Sequence, residues 1–153
     1  MIKFKPENIQ IRPMSSDDLT EIEEIEKAEY THPWTMGNFS DSLASGYDCL
    51  VCQLQEKVIG YAVQMFVVGE SQILNITLGS EFQRLGYGRA LLEMMVAHAR
   101  DHDATVMLLE VRESNKPAIG FYEAMGFTRN GRRPNYYQIA QGREDAVLME
   151  RAV

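Results

Sequence analysis

The stretch from Ile73 to Val111 joins a strand-like run, two closely spaced glycines, an amphipathic helix and a second apolar run. Beyond Gly88, apolar residues recur at helical spacing, at Leu92, Met95, Val96 and Ala99. The second run, TVMLLEV, is continuously apolar, which is typical of a strand covered on both faces. A strand–helix–strand unit crosses over with a right hand and makes its two strands parallel. The sequence therefore predicts an α/β sheet with a parallel pair.

The segment before this unit contains short helical and strand-like runs. IQIRPM predicts a first strand, and SSDD supplies a capping signature, Ser15 with Asp18 three residues on. A helix should follow, with Leu19, Ile22 and Ile25 at helical spacing. The many acids of SSDDLTEIEEIEKAEY are interpreted as its solvated face. TMGNFSDSLASG predicts a second short helix that ends at its last glycine.

Three runs then read as strands, YDCLVCQLQ, VIGYAVQMFVV and SQILNITL, and short polar turns separate them as in an antiparallel meander. A helix is predicted from about Asn115 to Met125, with Pro117 in its first turn and Gly126 as its stop. The tail, 127–153, predicts two last strands joined by a long connection. The predicted order is β-α-α-β-β-β-α-β-α-β-β, in one domain of 153 residues, 1–153.

Charge and hydropathy exclude several classes of function. The net charge of −7 argues against binding nucleic acid by general attraction, and it suits a cationic partner. Nowhere does the sequence approach the roughly 18 consecutive apolar residues of a membrane span. The start, MIKFKPENIQ, has no apolar core of a signal peptide, so a cytoplasmic protein is the default expectation.

Metal binding is not expected. Cys49 and Cys52 form a lone C-x-x-C, and a zinc site would need a second pair of ligands. In a strand, their odd separation places the two thiols on opposite faces. His98 and His102 lie four residues apart on the predicted helix without an evident third ligand, so they are interpreted as surface histidines.

The glycine turn before the long helix is a candidate anion site. Gly86 and Gly88 allow close approach to the backbone, and the first N–H groups of a helix have no internal partner. Arg84 and Arg89 would add charge-assisted contacts. A dinucleotide fold fits poorly because seven residues separate the strand from the first glycine, and a P-loop would need Gly-Lys-Ser/Thr. A plain tight turn remains the alternative.

Three segments together carry a family resemblance. QRLGYGRALL resembles the Q/R-x-x-G-x-G/A signature of the GCN5-related N-acetyltransferases (GNAT superfamily). LEVRESNKPAIGFYEAMGF and NYYQIAQGREDAVLME follow in the order and spacing of the branch that acetylates ribosomal-protein N-termini, the bacterial ribosomal-protein-alanine N-acetyltransferase (RimI) type. HPWT is similar to the substrate-side helix region of that branch. The resemblance covers most of the chain from residue 9 onward.

The resemblance implies a GNAT fold, in which a mostly antiparallel sheet of about seven strands has a splayed parallel central pair and helices on both faces. It implies acetyl-CoA as co-substrate, with no metal. The pantetheine arm would pair with the backbone of Ile76, Thr77 and Leu78, and Asn115 would hydrogen-bond the cofactor. Backbone N–H groups would bind the pyrophosphate at Arg84, Leu85, Gly86, Tyr87, Gly88 and Arg89.

Two side chains are candidates for the acid and the base. Glu110 ends an apolar run, and it could be only a strand-end residue paired with Arg112. Tyr122 could be only an aromatic packing residue. The resemblance implies that Glu110 is the general base and Tyr122 the general acid for the CoA thiolate. At pH 7, deprotonation costs roughly 1 kcal/mol for an α-amine and about 4.6 kcal/mol for a lysine, so one carboxylate suits the α-amine better.

The acceptor side is less defined. Trp34, Tyr136 and Tyr137 could line a peptide groove, whereas strand aromatics that face the core are the alternative for the tyrosines. RNGRRPN is a basic cluster that could reach a cofactor phosphate or an acidic partner, or be a solvated turn. The resemblance implies a basic small-subunit ribosomal protein beginning with alanine as acceptor. Another amine, such as a lysine, a polyamine or an aminoglycoside, and a non-catalytic CoA-binding module are the alternatives.

Overall fold

The computed structural model describes residues 8–153, and their elements follow the predicted order. The strands in this range are β1 (Ile9–Pro13), β2 (Asp48–Leu54), β3 (Lys57–Val67), β4 (Glu70–Leu78), β5 (Val106–Arg112), β6 (Thr128–Ile139) and β7 (Gly142–Ala152). The α-helices are α1 (Leu19–Glu29), α2 (Met36–Ala44), α3 (Tyr87–Asp101) and α4 (Lys116–Ala124). The prediction that the segment 1–10 carries no signal peptide falls mostly outside the described residues.

The seven described strands form one mixed sheet in the order β1-β2-β3-β4-β5-β7-β6. β1 pairs with β2, and β2 with β3, in antiparallel register. β4 and β5 are parallel, from Glu70 opposite Val106 to Ile73 opposite Leu109. β7 pairs in antiparallel register with both β5 and β6. The predicted mixed sheet with a parallel central pair is confirmed.

The chain divides into two compact units. The first unit comprises the chain through Met65 together with Leu74–His98. The second comprises Phe66–Ile73 and Ala99–Val153.

The first unit has an aromatic core. The Phe39 ring lies 5.1 Å from Trp34 and 5.5 Å from Tyr61, centroid to centroid, and Phe39 and Tyr61 are fully buried. The predicted cap forms, because the Ser15 N–H donates to Asp18 Oδ2 at 2.8 Å. α3 buries its predicted apolar face, Leu92, Met95 and Val96 included. Cys49 and Cys52 are buried free thiols, and burial raises the pKa of each to about 11.

The second unit differs from the sequence prediction at β5. Met107, Leu109 and Val111 are buried, but the residues that alternate with them are only half-buried. One face of β5 is therefore fully covered and the other partly, instead of both being fully covered. α4 follows the prediction: the Asn115 Oδ1 accepts the Ala118 N–H at 3.3 Å, and Pro117 lies in the first turn.

The predicted long connection between the last two strands is wrong. β6 extends over twelve residues and β7 over eleven, so only two residues lie between Ile139 and Gly142. The pairing shifts register between Arg129 and Gly131 and again between Arg133 and Tyr137. Such bulges accommodate Gly131 and Pro134. β6 is also the last strand in the order, so the N–H that proline lacks leaves no neighbouring strand without a hydrogen-bond donor.

Candidate active site

The residues that the sequence singles out fall in both units. The first unit contains Trp34, the strand end 76–78 and the glycine turn 84–89. The second contains Glu110, Asn115, Tyr122, Tyr136 and Tyr137. Within the second unit, Glu110 and Tyr136 are in contact.

The glycine turn leads directly into α3, which begins at Tyr87. Gly86 adopts a positive φ of 89° and Arg84 one of 62°, so the chain makes a tight left-handed bend before the helix. The Ala90 N–H donates to the Gly86 carbonyl at 3.1 Å, which is the α-helical bond of the first turn. The N–H groups that precede it have no intrahelical acceptor by helix geometry. Arg84 and Arg89 are both exposed beside this turn.

The end of β4 lies against β3 without room for a side chain. A Cβ on Gly60 would lie 2.7 Å from the Thr77 carbonyl oxygen and 2.6 Å from Leu78 Cδ1. The Leu78 carbonyl also accepts the Gln83 side-chain amide at 2.9 Å. Glycine at position 60 therefore leaves room for the backbone of residues 77 and 78 to lie directly against β3.

A buried carboxylate in the first unit was missed by sequence reasoning. Glu26 is 2% exposed and accepts three hydrogen bonds. The donors are the Tyr61 hydroxyl at 2.6 Å, the Asn75 amide at 3.1 Å and the Trp34 backbone N–H at 2.9 Å. The signal was present, because Glu26 lies seven residues after Leu19 on the apolar stripe of α1.

The same network continues onto β4. The Thr77 hydroxyl donates to Asn75 Oδ1 at 2.7 Å and lies 2.7 Å from the Tyr30 hydroxyl. Burial raises the pKa of Tyr30. Burial, together with the hydrogen bond to Glu26, also raises the pKa of Tyr61, which keeps its hydroxyl a donor. The network thus connects α1, the Trp34 backbone and the strand end predicted to pair with the cofactor.

Glu110 is not a solvated strand-end residue. Its side chain is 16% exposed, and its Oε1 lies 2.8 Å from Arg133 Nη2. The expected alternative partner is wrong, because Arg112 instead pairs with Glu144 at 3.2 Å. The Tyr136 hydroxyl lies near the Glu110 carboxylate, whose negative charge raises the pKa of Tyr136.

The two tyrosines of β6 lie outside the core, so the alternative that they face it is wrong. Tyr136 is 42% exposed, and its ring lies 5.0 Å from that of Tyr137. Arg133 covers the Tyr136 ring at 4.8 Å, and Arg112 covers the Tyr137 ring at 4.5 Å. Burial and then the charge of Glu110 raise the pKa of Tyr137 to about 12.

Tyr122 is 8% exposed on α4. Its ring lies 5.4 Å from Phe121 and 5.6 Å from Phe127. These contacts fix the ring, which suits packing and a positioned hydroxyl equally. Trp34, in contrast, is half-buried and packs on the core of the first unit.

His98 and His102 each contact another side chain. His98 Nδ1 lies 2.9 Å from Asp48 Oδ2, and the His102 ring stacks on Phe66 at 4.1 Å. Within residues 8–153, no three histidines, cysteines or acids are grouped as a metal site would require. The helices of the same range are all too short or too polar to cross a membrane.

The profile of the Acetyltransferase (GNAT) family matches residues 19–127, more than half of the chain. The chain belongs to this family. A Salmonella typhimurium protein named ribosomal protein bS18-alanine N-acetyltransferase is 35% identical over 89% of this chain and 92% of its own length. The Escherichia coli protein of the same name is 33% identical over 91% of this chain and 94% of its own.

A solved structure agrees with this family assignment. The crystal structure of the Escherichia coli ribosomal-protein-S18-alanine N-acetyltransferase matches with a TM-score of 0.87 and 32% identity. The match covers 95% of this chain and 94% of that one. The fold is therefore the GNAT fold, the protein is an N-acetyltransferase, and acetyl-CoA is the acetyl donor of its family.

Proposed function

We propose that this enzyme transfers an acetyl group from acetyl-CoA to the N-terminal α-amine of a protein in the cytoplasm, and that the acceptor is a ribosomal protein beginning with alanine. One observation carries the proposal: the similarity to two ribosomal protein bS18-alanine N-acetyltransferases extends over about nine tenths of each chain. On this proposal, residues 1–153 act as one N-acetyltransferase domain.

Acetyl-CoA is proposed to bind residues of the strand end and the glycine turn. The backbone of Ile76, Thr77 and Leu78 would hydrogen-bond the pantetheine arm. The pyrophosphate would accept from the N–H groups of residues 84–89, helped by the positive end of the α3 dipole. The exposed side chains of Arg84 and Arg89 support this assignment. The Asn115 Oδ1 caps α4, so its amide NH₂ would be the group that donates to the cofactor.

Acetyl transfer is proposed to be direct. Glu110 accepts a proton from the acceptor's ammonium, and the free amine attacks the thioester carbonyl carbon. The backbone N–H near Leu78 would stabilise the developing oxyanion. When the C–S bond breaks, the Tyr122 hydroxyl would give its proton to the thiolate, whose ordinary pKa of ~8.5 is close enough to the phenol's ~10. The nitrogen, which carries an extra proton after the attack, would lose it to solvent, and solvent would reprotonate Tyr122. The low exposure of Glu110 and Tyr122 supports roles within a shielded site.

The acceptor peptide is proposed to contact Trp34, Tyr136 and Tyr137. The Trp34 backbone is fixed by its hydrogen bond to the buried Glu26, which supports a defined recognition segment. Tyr136 is exposed beside Glu110, where a substrate amine would have to arrive. Tyr137 supports its neighbour through the ring contact.

The proposal is tested by CoA release from acetyl-CoA with three acceptors. These are a basic peptide that begins with alanine, the same lysine-containing peptide with a blocked N-terminus, and spermidine. Turnover on the free peptide alone is expected. Undiminished turnover on the blocked peptide would identify lysine as the acceptor, and turnover on spermidine alone would identify a polyamine enzyme. Absence of turnover with bound acetyl-CoA would favour a non-catalytic CoA-binding module.

A further inference from the structure

The proposed general base already contacts a cation, and that cation belongs to the chain itself. Arg133 Nη2 lies 2.8 Å from Glu110 Oε1, a charge-assisted contact. The Glu110 side chain is 16% exposed, whereas that of Arg133 is 52% exposed. The carboxylate is therefore fixed in the protein, while the guanidinium approaches it from the solvent side.

The backbone of β6 explains why Arg133 reaches Glu110. Arg133 is the last residue paired with β7 before the second register shift, and it lies opposite Ala146. Asn135, within the shift, has a positive φ of 53°, and its N–H donates to Asp145 Oδ1 at 2.9 Å. This bend returns the chain so that the Tyr136 ring lies 4.8 Å from the guanidinium of Arg133.

The contacts of Arg133 are weak enough for another cation to replace its guanidinium. A half-exposed ion pair and a cation–π contact on an exposed ring are each weak in water. The neighbouring Arg132 is anchored differently, by Glu113 at 2.8 Å and Asp145 at 3.3 Å. The two arginines have nearly equal exposure, 53% and 52%, so they differ mainly in their partners.

We infer that Arg133 occupies the position of the acceptor's α-ammonium against Glu110 and has to leave when the acceptor binds, which makes it a gate on acceptor affinity. The inference rests on the proposed role of Glu110. An α-ammonium, with an ordinary pKa of ~7.8, is mostly charged at pH 7, so it repels a guanidinium at the same carboxylate. When only the fraction of enzyme without the ion pair can bind, the apparent dissociation constant rises in proportion.

The test compares Arg133→Ala with the matched control Arg132→Ala. The KM for the alanine-starting peptide, at saturating acetyl-CoA, is expected to fall at least threefold in R133A and to stay within twofold of wild type in R132A. An equal fall in both variants would show a general charge effect and overturn the gate. An unchanged or raised KM in R133A would overturn it as well.

Two further measurements distinguish this gate from an effect of the substitution on stability and from the proposal that Glu110 is the base. Free guanidinium at millimolar concentration should inhibit R133A competitively with the peptide, because it refills the position, and inhibit R132A much less. In a Glu110→Gln background, R133A should no longer change the Kd of the peptide. Full turnover by E110Q would overturn the proposal that Glu110 is the general base. Reduced turnover by E110Q, together with a wild-type KM for the peptide in R133A, would overturn the gate alone.

Discussion

The Tyr61 hydroxyl donates a 2.6 Å hydrogen bond to the Glu26 carboxylate in the interior of the first unit. Asn75 and the Trp34 N–H donate to the same carboxylate. Each of these three buried donors needs an acceptor lone pair, and an ionised carboxylate offers enough of them because both of its oxygens only accept. The position therefore requires a carboxylate, and it connects the fold of α1 to the segment that precedes α2.

Glu26→Gln should lower the free energy of unfolding by about 1–3 kcal/mol, because its NH₂ group faces donors and leaves a buried polar group unpaired. The measurement is urea unfolding of each variant. Glu24→Gln is the control, since Glu24 is exposed on the same helix and should change stability by less than about 0.5 kcal/mol. Equal effects of both substitutions would contradict the role of the network.

Asp18→Asn should destabilise the protein by about 1–3 kcal/mol at neutral pH, since a buried charge-assisted pair is lost. The hydrogen bond from Arg12, at 2.7 Å to Oδ1, lowers the pKa of Asp18 below its ordinary value of 3.8. A depressed folded pKa gives stability that is present above the unfolded pKa and lost as pH falls through the folded pKa. The difference between wild type and variant should therefore shrink below about pH 4. A difference independent of pH would refute this assignment.

Glu110→Gln should lower kcat at least about tenfold, given what a general base contributes, with a Kd for acetyl-CoA within about twofold. Steady-state kinetics and calorimetry measure the two quantities. Glu123→Gln, at an exposed acid of α4, should leave both unchanged. Tyr122→Phe should reduce kcat while the protein keeps its melting temperature. Parallel loss of acetyl-CoA binding in E110Q would instead indicate a structural role.

Gly60→Ala should weaken acetyl-CoA binding at least fivefold and destabilise the fold by about 1–3 kcal/mol, because the new methyl group meets the Thr77 carbonyl and Leu78. Calorimetric titration with acetyl-CoA measures the affinity. Gly120→Ala is the control: nothing lies within 4 Å of the added methyl, and alanine in a helix stabilises by roughly 0.5–1 kcal/mol. Unaltered affinity in G60A would show that the strand end is not part of the cofactor site.

Much of the fold was accessible from the sequence because its signals are local. The capping pair of Ser15 and Asp18, the apolar stripe of α3 and the glycine turn each determine their own element. The last hairpin was not predictable, since Gly131 and Pro134 indicate a loop unless β6 is known to lie at the edge of the sheet.

The candidate site divides in the same way. Glu110 and Tyr122 were singled out by a motif, but the contact between Glu110 and Arg133 depends on two strands that both pair with β7 and on a bulge. Periodicity along one strand carries no such information. Glu26 was grouped with the solvated acids of its helix because composition outweighed its position on the stripe.

The two cysteines of the chain, Cys49 and Cys52, are both concealed within the first unit. A thiol-specific dye therefore reacts only with molecules whose first unit has opened. The rate of labelling therefore measures how often the first unit opens, and the measurement requires no introduced probe.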